Sequence, residues 1–466
     1  MPASSRIDLL TGWMPRQRWY TGKGRAPALR IIGTVELAAS AGVHSRIHLV
    51  MDERDGRSVL YQVPVAERRE PLSGGEAALI GVLGEGRSED DDGLDGELVE
   101  PRYLYDGPRD AAFAEALLAL IVDDGHATGD RADAHGRSAR PFTYQRMTSA
   151  VLDGEQSNTS IVYRFDETAS LPRLICKVFR ALHHGENPDV TLQQALFEAG
   201  STAVPQTIGS LVGEWNDRSA PGGRATGHLA FAQEFLVGAE DAWRLALGAA
   251  ARGAEFTPSA RAIGSALAEV HVGLRSALTS QPAEPEDIAA MGAAWARRLD
   301  EAIEELPELA PLRERITAVY ARAAASAWPP LQRIHGDLHL GQVLSVAGGS
   351  WAIIDFEGEP ARPLPERSRP DVALRDVAGM LRSFDYVAGA VPGAPDGHGW
   401  AERCREAFLE GYRSVGGDTE PQALLDALEL DKALYETVYE ARNRPEWLPI
   451  PAAAVRRLVS STAGAS

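Results

Sequence analysis

Apolar residues along this chain change their spacing about halfway. Up to residue 240 they mostly alternate with polar ones in short β-branched runs, the signature of strands with one buried face. Arg30–Leu37 (RIIGTVEL), His44–Val50 (HSRIHLV) and Arg57–Val65 (RSVLYQVPV) predict an antiparallel sheet. The acidic stretch Ser88–Glu97 (SEDDDGLDGE) reads as a solvated loop or linker. Ala111–Val122 is continuously apolar and predicts a short helix; a polar break at Asp123–Arg140 then precedes strands at Phe142–Met147, Ser160–Phe165, Leu174–Phe179, Thr207–Val212 and His228–Phe235.

After residue 240 the spacing lengthens to three and four. Thr257 and Pro258 open a helix with proline at its first position, and Ile263, Leu267, Val270, Leu274 and Leu278 then mark one face. Further helices are predicted at Met291–Glu305, Leu312–Ala325, Val372–Tyr386, Trp400–Val415 and Pro421–Ala441. Strands followed by helices predict an α+β architecture in two lobes.

Composition narrows the class without changing that picture. The 466 residues are 44% hydrophobic and 24% charged, an ordinary globular balance with room for two or three packed units. A net charge of −19 repels nucleic acid and anionic lipid, and no Lys/Arg run is long enough to override it, so neither is expected as a partner, nor is an obligate protein partner. Cys176 and Cys404 are too few for a disulfide framework and are not spaced for a metal site. With no apolar signal segment or bilayer-length run, a cytoplasmic location is expected.

The chemistry concentrates in Ile334–Gln342 (IHGDLHLGQ) and Trp351–Glu359 (WAIIDFEGE). An isolated Asp beside Gly usually caps a turn. Here two such segments are joined, and an apolar strand ends in Asp355. Phosphoryl transfer needs a carboxylate to orient an acceptor hydroxyl and take its proton, and oxygen ligands to hold Mg²⁺ against nucleotide phosphates. Asp337 fits the first role, and Gln342 and Asp355 the second.

HGDLHLGQ followed by DFEGEP resembles the catalytic and metal-binding loops of the aminoglycoside-phosphotransferase-like kinases. Pro360–Tyr386, Tyr439–Pro451 (YEARNRPEWLPIP) and the opening Arg16–Tyr20 (RQRWY) are similar to bacterial maltokinases and their actinobacterial glucosamine kinase relatives, so the resemblance spans nearly the whole chain. It implies a bilobal protein-kinase-like fold with an N-terminal β-rich cap subdomain at 1–88, a nucleotide-binding lobe with its hinge at 89–236, and a helical lobe with the catalytic loop and sugar site at 237–466. It also implies ATP and Mg²⁺, Asp337 as catalytic base, and Gln342 and Asp355 as metal ligands. Gln342 stands where most kinases of this fold carry Asn. Glu357 is a candidate second metal ligand, His335 a buttress of the loop, and Asp376 its organiser.

For the nucleotide, the resemblance points to Gln156, Ser157, Asn158 and Thr159 in DGEQSNTS as the phosphate loop. Lys177 is read as the phosphate-facing lysine, its partner unassigned between Asp189 and Glu198, and Gln233, Glu234, Phe235 and Leu236 as the hinge that meets adenine. For the acceptor, Tyr435–Trp447 packs aromatic, carboxylate and cationic groups into one helix and its exit. Asp337, His339, Asp385, Tyr439, Glu440 and Arg444 are the candidate sugar contacts. Arg16, Trp19 and Tyr20 are read as core and salt-bridge anchors. The expected function is an ATP-dependent sugar kinase, leaning to glucosamine and giving glucosamine 6-phosphate. The alternatives are a maltokinase giving maltose 1-phosphate, an aminoglycoside phosphotransferase, and a pseudokinase-like binding protein.

Overall fold

The computed structural model describes residues 5–40, 42–54, 57–84, 100–152, 157–218, 220–359, 364–391 and 397–461. Gln156 and the acidic stretch 88–97 lie outside them. Two units emerge, one formed by Met1–Val190 and Gln206–Leu236, the other by Thr191–Pro205 and Val237–Ser466.

The first unit is built on two antiparallel sheets. One runs, in spatial order, through Leu29–Glu36, His44–Arg54, Arg57–Arg68, Arg102–Asp106 and Leu79–Leu83, with Ala181–Leu182 added to Arg57–Arg68. The sheet therefore takes a strand from beyond the acidic stretch. The other runs through His126–Thr128, Ala132–Ser138, Thr207–Asn216, Arg224–Glu234, Arg173–Phe179, Asn158–Phe165 and Met147–Val151. The Ala111–Val122 helix buries Phe113, Leu117, Leu118 and Ile121 in a core shared with Ile47 and Leu49 of one sheet and Leu211 and Phe231 of the other. Its mostly apolar surface is explained by that double packing.

Two strand expectations needed correcting. Phe142–Tyr144 is irregular, and the edge strand begins only at Met147. The alternation there comes from aromatic packing, with the Phe142 and Phe165 rings 5.1 Å apart, and not from a hydrogen-bonded ladder. Conversely, the polar break at 123–140 contains the strand Ala132–Ser138, which pairs with Thr207–Asn216 despite its hydrophilic composition.

His48 lies in the first of the two sheets, 2% exposed, with its Nδ1 2.9 Å from the Thr34 hydroxyl. Burial, with Arg6 and Arg46 nearby, pushes its pKa down to about 3. The unfolded chain takes up this proton near pH 6.5 whereas the folded chain does so only near 3, so stability falls as pH drops below 6.5. At pH 5 the loss is on the order of 2 kcal/mol. Thermal unfolding followed from pH 7 to 5 should show a decline that His48→Leu flattens; parallel curves for the two proteins would contradict it.

The second unit is helical, with helices at Ala242–Ala251, Thr257–Ala277, Pro285–Glu305, Arg313–Ala324, Leu374–Ala390, Gly397–Ser414, Gln422–Asn443 and Pro449–Ser461. A small sheet of Glu240–Asp241, Val343–Val346 and Ser350–Ile353 is tied in by the Ile353 amide donating to the Ala203 carbonyl at 2.8 Å. The Leu374–Ala390 and Gln422–Asn443 helices pack side by side with Leu381, Phe384, Leu428 and Leu434 in one core. No described helix is long and apolar enough to cross a membrane. Both cysteines are free and buried.

Candidate active site

The loop before the Val343–Val346 strand is held by one carboxylate. Asp376, 1% exposed in the first turn of the Leu374–Ala390 helix, accepts the backbone N–H groups of His335 and Gly336, each at 2.8 Å. It also lies 3.0 Å from His271 Nε2, whose Nδ1 is 2.8 Å from the Tyr412 hydroxyl. Burial works against its charge, but the His271 contact and the Gly336 amide hold its carboxyl below the usual carboxylate range. Gly336 has φ +85°, a left-handed conformation that lets the chain turn at once towards Asp337. Gly379 admits the helix to the loop: a Cβ there would sit 2.6 Å from the Leu338 carbonyl oxygen.

His335 closes the loop on its other side. Its Nδ1 accepts the Asp337 amide at 3.3 Å, its Nε2 meets the Ile354 carbonyl at 2.9 Å, and its ring packs 4.7 Å from that of buried Phe356. Both nitrogens are thus engaged in supporting backbone. Across the hairpin, Gln342 Nε2 donates to Asp355 Oδ2 at 3.0 Å, bringing the two predicted oxygen ligands together. Asp355 has φ +68°, and Glu357 follows on the far side of Phe356. A left-handed aspartate is uncommon away from turns and functional sites.

Asp337 opens into a cleft of about 460 Å³ that also receives His339, Tyr439, Glu440 and Arg444. Five of the six predicted sugar-contact residues are therefore together. Burial lowers the His339 pKa, so its Nδ1 can accept the Gly341 amide at 3.1 Å. Glu440, 1% exposed, accepts Arg444 Nε at 2.9 Å, Arg444 Nη2 at 2.6 Å and the Tyr386 hydroxyl at 3.1 Å. Arg444 spreads over the Tyr439 and Trp447 rings at 5.4 and 5.0 Å, and Trp447 stacks on Tyr386.

The sixth, Asp385, does not line that cleft. It pairs with Arg382 and Arg457, each at 2.6 Å. On the helix, Asp385 lies one residue before Tyr386, so the turn carries it off the cleft face.

Lys432 is the residue the sequence reading missed. Its Nζ donates to Asp337 Oδ1 at 3.2 Å and sits 5.0 Å from the Tyr435 ring centre. Burial opposes its charge, yet Asp337, Glu359 and Glu436 raise its pKa above the usual lysine value, keeping it an ammonium. Residues 432, 435, 436, 439 and 440 follow the i, i+3, i+4, i+7, i+8 spacing of one helix face. Extending the polar cluster one turn upstream would have found it.

In the first unit, Lys177 Nζ donates to Asp189 Oδ2 at 2.7 Å, so Asp189 is the partner that had been left open. Lys177 pairs across strands with Ser160, which puts both on one sheet face. Thr159 points to the other face, where its hydroxyl accepts Arg180 Nε at 2.8 Å. It is therefore separated from Lys177, contrary to the grouping expected, because neighbours along a strand alternate faces. Ser157 and Asn158 stand at the start of this strand. At the predicted hinge, the Glu234 and Phe235 amides donate to the carbonyls of Gln206 at 2.9 Å and Arg173 at 3.2 Å, while Gln233 pairs within its sheet and Leu236 ends the unit.

The sequence and the fold are both similar to those of known proteins. Residues 13–110 match the maltokinase N-terminal cap domain, and residues 152–424 match the phosphotransferase enzyme family. A glucosamine kinase of Streptacidiphilus jiangxiensis is 32% identical over 281 residues, covering 55% of this chain and 62% of that protein. This chain thus aligns with less than two thirds of that relative's length. A glucosamine kinase of Mycolicibacterium smegmatis (strain ATCC 700084 / mc(2)155) is 28% identical over 390 residues, covering 76% of this chain and 89% of that protein. A crystal structure of a glucosamine kinase superposes with a TM-score of 0.66 at 24% identity, covering 98% of both chains. Another, of a glucosamine kinase with glucosamine, ADP and inorganic phosphate, gives 0.63 at 23% identity over 98% of this chain and 99% of that one. Both show a shared fold. With the Ile334–Glu359 loops inside a match longer than half its length, the chain belongs to the phosphotransferase enzyme family.

Proposed function

We propose that this protein is an ATP- and Mg²⁺-dependent sugar kinase whose acceptor is glucosamine, giving glucosamine 6-phosphate. The observation that carries the reading is the cleft itself, in which the Asp337 carboxylate opens onto an aromatic and carboxylate surface of Tyr439, Glu440 and Trp447. Relatives bearing the glucosamine kinase name support the acceptor.

In this reading Asp337 accepts the proton of the acceptor hydroxyl as that oxygen bonds to the γ-phosphorus and the bond to the ADP oxygen breaks. Lys432 keeps the carboxylate aimed and supplies positive charge beside the transferring group. Gln342 and Asp355 offer two hard oxygen donors at the two ends of one hairpin, with Glu357 near, a set suited to Mg²⁺. Bound there, the ion would neutralise phosphate charge. Lys177, oriented by Asp189, and the backbone around Gln156, Ser157 and Asn158 would hold the nucleotide phosphates. With the Glu234 and Phe235 amides already bonded, adenine recognition would use the remaining main-chain groups of the 233–236 segment.

Lys432→Met should lower kcat roughly tenfold to a hundredfold, the range of one charge-assisted hydrogen bond of about 1.5–3 kcal/mol. Steady-state kinetics at saturating ATP measure it, and an unchanged kcat would remove Lys432 from the mechanism.

Glu440 is the proposed holder of the 2-ammonium. A carboxylate has about four acceptor positions. Arg444 and Tyr386 occupy three, leaving one for the sugar. Glu440→Gln should therefore reduce kcat/KM on glucosamine roughly tenfold to a hundredfold and on glucose much less. Equal losses would make Glu440 a structural group. The reading as a whole is tested by ADP release with glucosamine, glucose, maltose and kanamycin as acceptors. Glucosamine should give the highest kcat/KM. The match to a maltokinase cap favours maltose as the second reading, and a higher kcat/KM on maltose would establish it. No release with any acceptor would sink both.

A further inference from the structure

A second cleft, within the first unit, meets that reading only at Asn158. It measures about 520 Å³ and lies between the segment around Arg16–Trp19 and the strands Met147–Val151 and Asn158–Phe165. Arg16, Arg18 and Arg109 line it, together with Asp106, Asn158 and Thr159. Among the described residues its one lining carboxylate is already committed, since Asp106 Oδ1 accepts Arg180 Nη2 at 2.8 Å. Arg180 is fully buried, lies 4.9 Å over the Trp19 ring, and leaves Nη1 without a hydrogen-bond partner.

The expectation that Arg16 anchors a salt bridge fails. Arg16 and Arg18 are exposed and form no ion pair or side-chain hydrogen bond with another described residue. In a chain with 66 acidic and 47 basic residues, two such arginines on one wall stand out. They are also fixed in place. Trp13 and Met14 before them and Trp19 and Tyr20 after them are buried, and the Tyr20 hydroxyl donates to Asp52 at 2.7 Å. The backbone that presents the guanidinium groups is thus ordered before any ligand arrives, which lowers the entropy lost on binding. A guanidinium matches the geometry of phosphate oxygens, and several on one surface suit a dianion.

We propose that this cleft binds a phosphate-bearing anion, as free inorganic phosphate or as a sugar phosphomonoester. It adjoins the proposed phosphate loop, with Asn158 on its wall, but Lys177 does not line it. Thr159 faces it, whereas Lys177 and Ser160 share the opposite face of the same strands. An anion here touches the Met147–Phe165 hairpin at the turn end of its two strands, beside Asn158 and Thr159.

The test is calorimetric titration of the full chain, saturated with Mg²⁺ and a non-hydrolysable ATP analogue so that the nucleotide site is filled. Inorganic phosphate is the ligand in one arm and glucosamine 6-phosphate in the other. One equivalent should bind, and the double variant Arg16→Gln/Arg18→Gln should weaken binding at least tenfold with an unchanged melting temperature, both positions being exposed. Arg109→Gln should weaken it separately. Comparable affinity in the two arms assigns the free anion, and tighter binding of the sugar phosphate assigns the phosphomonoester. Absence of binding in both arms, or equal affinity in wild type and both variants, overturns the proposal.

Discussion

Asp337→Ala should lower turnover roughly 10²–10⁴-fold, the usual contribution of a positioned general base. The loss belongs to the transition state, where the acceptor hydroxyl must be oriented and its proton taken, so nucleotide affinity should change little. Single-turnover ADP release measures the first quantity and titration with a non-hydrolysable ATP analogue the second. Alanine also strands the Lys432 ammonium, 3.2 Å from the lost oxygen. Asp337→Asn, which keeps an oxygen there, separates the two effects: a loss nearly as large as that of alanine assigns it to the missing base. Near-normal turnover in the asparagine variant would mean that another group accepts the proton.

The second large effect is expected on stability. Asp376→Ala removes the shared acceptor of the His335 and Gly336 amides and the partner of His271, all in a buried site. Breaking such a network costs about 3–5 kcal/mol, because the stranded groups cannot reach water. Urea unfolding of the second unit should shift to a clearly lower midpoint, with turnover reduced even in the folded fraction because Asp337 is no longer aimed. Asp376→Asn should fall between. A wild-type midpoint for the alanine variant would show that the loop is held by something else.

The residues readable in the sequence were those whose chemistry forces a short local spacing. Asp337, Gln342 and Asp355 fall in two adjacent loops because a hairpin has to bring the proposed base and metal ligands within a few ångströms, and the run Ile353–Ile354 before Asp355 marked the strand that leads to it. Lys432 acts on the same carboxylate from 95 positions away. Nothing near it in the chain reveals that; only the helix face shared with Tyr435, Glu436 and Glu440 does. Asp385 was misplaced because composition near a motif does not say which side of a helix faces the cleft. The Ala132–Ser138 strand was hidden for another reason: the alternate residues it buries, Ala132, Ala134 and Gly136, are too small to stand out as an apolar pattern.

Asp355 bears on how this enzyme would respond to engineering. At φ +68° it occupies a backbone region that glycine enters freely and other residues enter at some energetic expense. A library selected only for heat tolerance would therefore tend to enrich glycine at 355, together with the inactivity expected from losing an oxygen of the proposed metal site. Selection for heat tolerance and selection for catalysis pull in opposite directions at this position, so a stabilising programme that leaves it unconstrained would discard the enzyme while improving the protein.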